Sequence, residues 1–515
     1  MKLFSLEIRG IKTAVVALAF SATSLSAQVR ITEIMYHPSS ELTTEEYVEL
    51  QNTGTNAVNL QGWHFDRGIA FTFSNSLVLS PGGFVVVAAD TNAFQAKYPA
   101  VTNLLGNWAG TLSNTRDELR LRDAASNTVD SVTYSDQGDW AIRQRGPLTV
   151  NHRGWVWFAA HDGVDLNTAT GQFDGGRSLE LVNTALVTDS GQNWNASSVS
   201  NGTPGVANSV SVTNIAPIIS SVTHYPPVPI PTDAVTITAR VLDEQTNGFS
   251  VAVYFRNATS TNPPAFTNLA MFDDGAHGDG LAGDKLFGAI LPAQTNGSVV
   301  EFYVRATDAQ ANVRTWPAAA RQLDGSFAQT CNALYQVDDN LAPPSISNGG
   351  QPLYRLVLTG AEQAEMTQGL MGADHDSDAE MNGTFVSVDG TDTKIRYTCG
   401  VRIRGNGSRG RNPQNWRVNI PTDRMWNDLS GINLNTQFIH AQLTGSRFSL
   451  ASGLPVAEGR VVQVRLNGAN HALSGAPANG GSQGSGFGSY AMLEPLNNEW
   501  AGHHFPNDGK GNVYR

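Results

Sequence analysis

Short apolar runs closed off by turn residues recur along this chain, and they confine it to β-architecture. Tyr47-Val48-Glu49-Leu50, Phe84-Val85-Val86-Val87-Ala88 and Leu119-Arg120-Leu121 are separated by Asn52-Thr53-Gly54-Thr55-Asn56 and by Ser80-Pro81-Gly82-Gly83. That is the pattern of short strands in a sandwich or barrel. The 51 glycines and 23 prolines supply turns throughout, and with 15 % charged residues the chain lacks the polar faces of coiled coils and long amphipathic helices. A length of 515 residues corresponds to about three domains.

The first 27 residues read as an export signal peptide. Lys2, Arg9 and Lys12 precede the apolar stretch Thr13 to Phe20, and Ser24-Leu25-Ser26-Ala27 offers small residues for cleavage. The apolar stretch is shorter than the roughly 20 residues that span a bilayer. The expectation is therefore a secreted, periplasmic or cell-surface protein with no transmembrane segment after signal removal. A net charge of −12, or −14 without the signal, is repelled by phosphate backbones and argues against a nucleic-acid partner. Cys331 and Cys399 are the two cysteines; a disulfide and two buried free thiols both remain open.

In the first region the landmarks run in a definite order: Ile31-Thr32-Glu33-Ile34-Met35-Tyr36, Glu46 to Asn52, Leu60-Gln61-Gly62-Trp63, Leu79-Ser80-Pro81-Gly82 and Asp130-Ser131-Val132-Thr133-Tyr134. This series resembles the lamin-tail domain, an immunoglobulin-like sandwich that bacteria append to exported proteins. The resemblance spans 28–209, ends in Trp194-Asn195 and Asn201-Gly202-Thr203-Pro204-Gly205, and holds an insertion around 141–176. It implies a binding or spacing module without shared catalytic residues. Glu33 and Glu49 sit on strands among apolar residues, and solvated or hydrogen-bonded carboxylates are favoured over an acid–base pair. Trp63, Trp108, Trp140, Trp155, Trp157 and Trp194 have the chemistry to stack on sugars or other planar ligands, but core packing is the favoured reading.

After the proline-rich Tyr225 to Pro231, a second all-β region spans 214–340, with clear period-two alternation in Val235 to Val241. It looks like an immunoglobulin-like or fibronectin-type module. Its most chemical segment, Asp273 to Asp284, holds Asp273, Asp274, Asp279 and Asp284 among four glycines. Oxygen ligands on a flexible loop suit Ca²⁺. The EF-hand order is absent, and a solvated acidic hairpin is the competing reading.

The third region is assigned to 351–515. Strand-like Lys394 to Arg404 leads into Gly405-Asn406-Gly407-Ser408-Arg409-Gly410, and Trp416-Arg417-Val418-Asn419-Ile420 alternates like a second strand. A dinucleotide loop would open a helix; strand, glycine-rich loop, strand is the arrangement kinases place over ATP phosphates. Then follow Ile432-Asn433-Leu434-Asn435-Thr436, Arg460 to Gly468, Gly488 to Leu496 and Gly511-Asn512-Val513-Tyr514-Arg515. The ordered set resembles the spore-coat-protein-H (CotH-type) family of atypical secreted kinases. That resemblance implies ATP as cofactor with Mg²⁺ or Mn²⁺, and phosphorylation of serine in secreted or surface proteins. By the same resemblance, Arg404, Gly405, Asn406, Gly407, Ser408, Arg409 and Gly410 form the phosphate-side loop, Arg417 lies on the next strand, and Glu494 matches the acidic residue after the Asn-Gly hairpin.

The chain departs from that family at two places. Gln414 and Asn415 stand where lysines often precede the aromatic residue, leaving Arg417 or Arg411 to substitute. The family's catalytic and metal-binding aspartates lie beyond the segment that ends here at Arg515, so the expectation is a truncated domain without them. Gly480-Gly481-Ser482-Gln483-Gly484 matches a nucleophile pattern inside a Gly/Ser-rich stretch and reads as a flexible insertion. His503-His504 with Asp508, and Asp374 to Asp378, read as surface residues, the two histidines on a strand.

The expected fold is mostly β and multidomain: a lamin-tail sandwich, an immunoglobulin-like sandwich, then the β-rich N-terminal part of an α+β kinase-like domain. The expected function is ATP-dependent phosphorylation of exported proteins. The alternatives are a non-catalytic cell-surface or matrix binding protein and a serine hydrolase.

Overall fold

The structure, a computed structural model, describes residues 28–146, 154–162, 176–245, 248–339, 350–368, 380–390, 392–405, 413–471 and 489–505. It is a mostly β, multidomain protein. In the first region a six-stranded sheet runs in the order Trp194–Ala196, Leu179–Leu181, Val29–Met35, Tyr47–Asn52, Phe84–Ala88, Leu104–Gly106. It packs on a four-stranded sheet of Thr128–Ser135, Arg116–Arg122, His64–Arg67 and Phe71–Thr72. Ile31, Leu50, Val85, Leu121 and Val132 fill the space between them. The outer face of the larger sheet is covered too. The helix Thr91–Lys97, capped by Asp90 accepting from the Asn92 and Ala93 N–H groups at 2.8 and 2.9 Å, lays Phe94 against Tyr47 and Val86. Every residue of Val29–Met35 is consequently buried.

The second region pairs Ile218–Tyr225, Val235–Leu242 and Leu286–Leu291 in one sheet, facing a sheet built from Thr267–Met271, Ser250–Asn257, Val299–Thr307, Val313–Trp316 and Ala333–Gln336. Val235, Ile237, Ala239 and Val241 alternate into the core as the period-two reading requires. A further sheet crosses the sequence boundary. Ile142–Arg145 pairs with Trp155–Phe158 and also runs parallel to Ala320–Arg321 of the second region.

The third region closes into a seven-stranded barrel: Leu353–Leu358, Met381–Asp389, Asp392–Ile403, Trp416–Asn419, Gly431–Asn435, Ser489–Leu493 and Gly459–Leu466, the last returning in parallel to the first. Closure leaves no exposed sheet edge. Its interior is apolar, with Trp416, Trp426, Phe385 and Tyr490 among the fully buried side chains. A β-bulge sets one residue, Thr384, against two, Tyr397 and Thr398, and Thr398 adopts φ +53°, a region β-branched residues rarely occupy. The bulge turns Tyr397 out of the barrel and into the second module's core, where it sits against Phe302 and Trp316 with its hydroxyl 2.6 Å from His224 Nδ1. Burying such a ring contributes on the order of 2 kcal/mol.

Other cross-region bonds join the first region to the third. Trp155 donates its backbone N–H to the Glu380 carbonyl (2.7 Å) and its indole N–H to Glu362 (2.7 Å), while Arg424 pairs with Asp139 at 2.5 Å. Cys331 and Cys399 are free, buried thiols that burial pushes up, Cys399 to about 12. Among the described residues no helix is long and apolar enough to cross a membrane, which says nothing of crossing by strands.

Candidate functional site

The strand–loop–strand expectation is met on both flanks of the glycine-rich loop. Asp392–Ile403 pairs antiparallel with Trp416–Asn419, and the Arg404 N–H donates to the Asn415 carbonyl at 3.0 Å, closing the loop's base. Gly405 has φ +93°. Asn406, Gly407, Ser408, Arg409 and Gly410, together with Arg411, lie outside the described residues. Strand alternation sends Val401, Ile403, Trp416 and Val418 inward and leaves Arg402, Arg404 and Arg417 half-buried on the opposite face. Register then sets Arg402 opposite Arg417, and Arg417 opposite Asn433.

Arg417 is held by its own face of the sheet. Its Nε donates to Asn419 Oδ1 at 2.5 Å and its Nη1 to Asn433 Oδ1 at 3.3 Å. Gly431 leaves room for it, since a Cβ there meets the guanidinium. Burial lowers the Arg417 pKa to about 10; the like charges of Arg402 and Arg404 act in the same direction, and Glu380 and Glu499 oppose them. Arg404 donates to Asn435 Oδ1 at 2.5 Å. Asn415 accepts from the Thr436 N–H at 2.8 Å and pins the loop exit. Arg402, Asn433 and Thr436 are members of this site that sequence reading did not single out. Glu494 directly follows Leu493, which pairs with Asn433. It accepts from the Glu458 N–H (2.7 Å) and lies 3.1 Å from His504 Nε2. His503 and His504 sit on the helix Asn498–His504, not on a strand, because Asn497 caps that helix by accepting from the Trp500 N–H at 3.1 Å.

The cluster fits phosphate: three guanidinium groups share one face with two carboxylates in electrostatic reach. For Mg²⁺ or Mn²⁺ the fit fails among the described residues, where no group of three or more His, Cys, Asp or Glu is disposed to hold a metal. Asp374 to Asp378, Ser482 and Asp508 lie outside the described residues.

The acidic loop of the second module satisfies its carboxylates with its own amides. Asp279 accepts from the N–H groups of Asp274 and Gly275 (both 2.7 Å) and of His277 (2.8 Å). Asp273 accepts from Gly283 (2.7 Å), Asp284 (3.1 Å) and Lys285 (3.0 Å), and Asp284 accepts from Leu286 (2.9 Å). Asp274 lies 2.9 Å from His277 Nδ1. The loop thus turns N–H donors toward its acids.

Glu33, Glu49 and Glu180 stand side by side on adjacent strands, Glu33 opposite both others, and all three are fully buried. Glu33 Oε1 accepts from the Tyr47 and Ser178 hydroxyls (both 2.6 Å) and from the Thr203 N–H (2.8 Å), whereas Oε2 has no hydrogen-bond partner. Gly205 N–H donates to Glu49, and the Thr203 and Ser209 hydroxyls donate to Glu180. Burial raises the Glu33 pKa to about 7 and pushes Glu49 well up, with Glu33 beside it adding to the effect. The solvated reading of these acids is thereby corrected: segment 201–210 seals them as hydrogen-bonded strand carboxylates.

Residues 22–136 match the Lamin Tail Domain family. A search of curated proteins found no match. Among solved structures, similarity extends to the cycloalternan-forming enzyme from Listeria monocytogenes in complex with pentasaccharide substrate, at 9 % identity over 39 % of this chain and 18 % of that one, with a TM-score of 0.16. An uncharacterized protein from Listeria monocytogenes EGD-e, solved with α-D-glucose, β-D-glucose, magnesium and calcium, gives 10 %, 42 %, 20 % and 0.16 for the same quantities. The chain spans about a fifth of the length of those structures, and a likeness at that score carries no argument.

Proposed function

We propose that this protein, with a lamin-tail domain at its start, is an exported array whose two sandwich modules bind secreted or surface proteins and hold them beside a kinase-like unit that uses ATP. The observation that carries the reading is the meeting of Arg402, Arg404 and Arg417 on one face at the base of the glycine-rich loop. Guanidinium groups bind phosphate oxygens through charge-assisted, often paired hydrogen bonds. Gly405, at φ +93°, permits close backbone approach. Arg417, oriented by Asn419 and Asn433, is the principal phosphate cation of this reading, in the part the kinase family gives to lysine. The implied reaction moves the γ-phosphoryl group of ATP to a serine hydroxyl: the serine oxygen bonds to phosphorus, the bond to the ADP oxygen breaks, and the hydroxyl proton is released. No step is assigned to a metal, since the described residues group no donors for one.

The test is titration of the full chain with a fluorescent ATP analogue, with and without Mg²⁺ or Mn²⁺. Saturable binding is expected, weakened at least about tenfold by Arg417→Leu at unchanged melting temperature. No binding at roughly millimolar nucleotide overturns the reading. The lamin-tail domain, a binding or spacing module, supports a second reading, a non-catalytic surface or matrix protein. Nucleotide binding without phosphoryl transfer to serine substrates selects it.

A further inference from the structure

A strand at the rim of a sheet leaves the N–H and C=O groups of alternate residues open to a further chain, and proteins blunt such edges with charge, proline, a bulge or a cover. Three of the longer edge strands here are bonded on that side. In Thr128–Ser135 the Thr133 N–H donates to Asp189 at 2.8 Å. In Ile218–Tyr225 the Ile219 N–H donates to Gln192 Oε1 at 2.8 Å and the His224 N–H to the Tyr397 hydroxyl at 3.1 Å. In Leu286–Leu291, Gly288 exchanges bonds with Phe272 at 2.8 and 2.9 Å. Thr267–Met271 is different. It ends its sheet, pairs with Ser250–Asn257 without a register shift, and has four of its five residues exposed. Among the described residues its backbone bonds nothing on the outer side. Thr267-Asn268-Leu269-Ala270-Met271 holds no charge, proline or glycine, so nothing in the strand itself turns a partner away.

The surroundings of this edge define what fits it. Leu269 is 36 % and Phe272 46 % exposed, which makes the rim apolar. Directly beyond Phe272, the turn from Asp273 to Lys285 sets four aspartates against one lysine. Amide hydrogen bonds orient these carboxylates without cancelling their charge, and the Asp274 side chain is 45 % exposed. At the strand's other end Arg256 lies 4.1 Å over the Phe266 ring and is already paired with Glu301 at 2.7 Å. The edge thus has a neutral, apolar length and one strongly negative end. With −12 on the whole chain, a cationic partner is attracted and a second copy repelled.

We propose that the edge Thr267–Met271 takes up an extended segment of a secreted or surface protein as one more antiparallel strand, with apolar or β-branched residues along the edge and Lys or Arg at the segment's N-terminal end, against Asp273 and Asp274. Antiparallel addition continues the pattern of this sheet, and it brings the segment's N-terminus to the acidic turn. Main-chain bonds supply affinity in this mode, and the charged end supplies direction. The proposal names a partner class for the binding modules and rests on that half of the functional reading; nucleotide takes no part in it. The probe is the peptide Lys-Lys-Val-Thr-Val-Thr-Val with a C-terminal fluorophore, titrated against the full chain by anisotropy. Saturable binding below about 1 mM is expected, weakened at least about tenfold when both lysines are replaced by glutamate. Two further peptides, N-methylated on the valines or on the threonines, keep every side chain; the one whose ladder donors are lost should bind at least about tenfold more weakly. Asp274→Asn should weaken binding about threefold at unchanged melting temperature. No binding at roughly millimolar peptide, equal binding of the glutamate peptide, or affinity unmoved by both methylations each overturns the proposal. Self-association that competes with the peptide also overturns it and gives the edge to a second copy. Peptide failure with nucleotide binding intact strikes this edge alone, whereas failure of both removes the wider reading too.

Discussion

The glutamates of the first sheet and the aspartates of the second module's loop are both dense clusters of acids, yet folding drives Glu33 and Glu49 of the one and Asp274 and Asp279 of the other in opposite directions. Burial beneath segment 201–210 raises Glu33 and Glu49, the register that sets them beside each other and Glu180 adds to it, and Oε2 of Glu33 is reached by no donor. Asp279 is lowered: burial under its own turn raises it, but its backbone N–H bonds outweigh that. Asp274 is lowered first by its bond to His277. What separates the clusters is the supply of amide hydrogens per carboxylate. A tight glycine-rich turn supplies several, and a strand face supplies few because its amides are committed to the ladder.

The sharpest way to break this comparison is to open the seal over the glutamates. Gly202 has φ +85°, and a side chain there meets Glu33, the Tyr47 hydroxyl and Ser178. Gly202→Val is expected to cost about 3–4 kcal/mol, read from urea midpoints; a loss below about 1 kcal/mol would show the seal to be loose. The next effect is one of pH. Folding raises Glu33 from 4.5 to about 7, so its contribution is complete below pH 4.5 and is lost as pH climbs through about 7. Between those limits wild type should lose roughly 2–3 kcal/mol relative to Glu33→Gln, whose amide cannot ionise. A parallel pH dependence of the two proteins would remove the buried proton from the account. For the loop the sign reverses: Asp279 stabilises above 3.8, the ordinary value, and that stability is lost on acidification. Asp279→Asn should lower the melting temperature at neutral pH by roughly 3 °C, as expected for weakened amide bonds. The smallest effect is expected from Ca²⁺. At millimolar concentration it should move the transition by less than about 1 °C, and a rise of several degrees would return the loop to the metal class.

Local patterns in the sequence were enough to find the strands and the sandwich class. Val235 to Val241 alternates in the chain as it does in the fold, and the landmarks from Ile31 to Tyr134 lie in one lamin-tail sandwich. What could not be read was set by distant partners. Glu33 looks like a solvent-facing strand residue because its cover, Thr203, comes 170 residues later. Arg404 and Arg417 were identified through the kinase resemblance, but their meeting with Arg402 depends on antiparallel register across the loop. The helix carrying His503 and His504 did have a local signal, Asn497 followed by Glu499 in the first turn.

Tyr397 belongs by sequence to the third region and by packing to the second, and this bears on how such a chain can be assembled in evolution. Here a gene fragment ending near residue 340 would encode a middle module whose core lacks an aromatic ring and whose His224 lacks its hydroxyl partner. It would also carry Ala320–Arg321 away from the parallel strand it pairs with in the first region. Recombination at the visible seams would therefore yield damaged pieces.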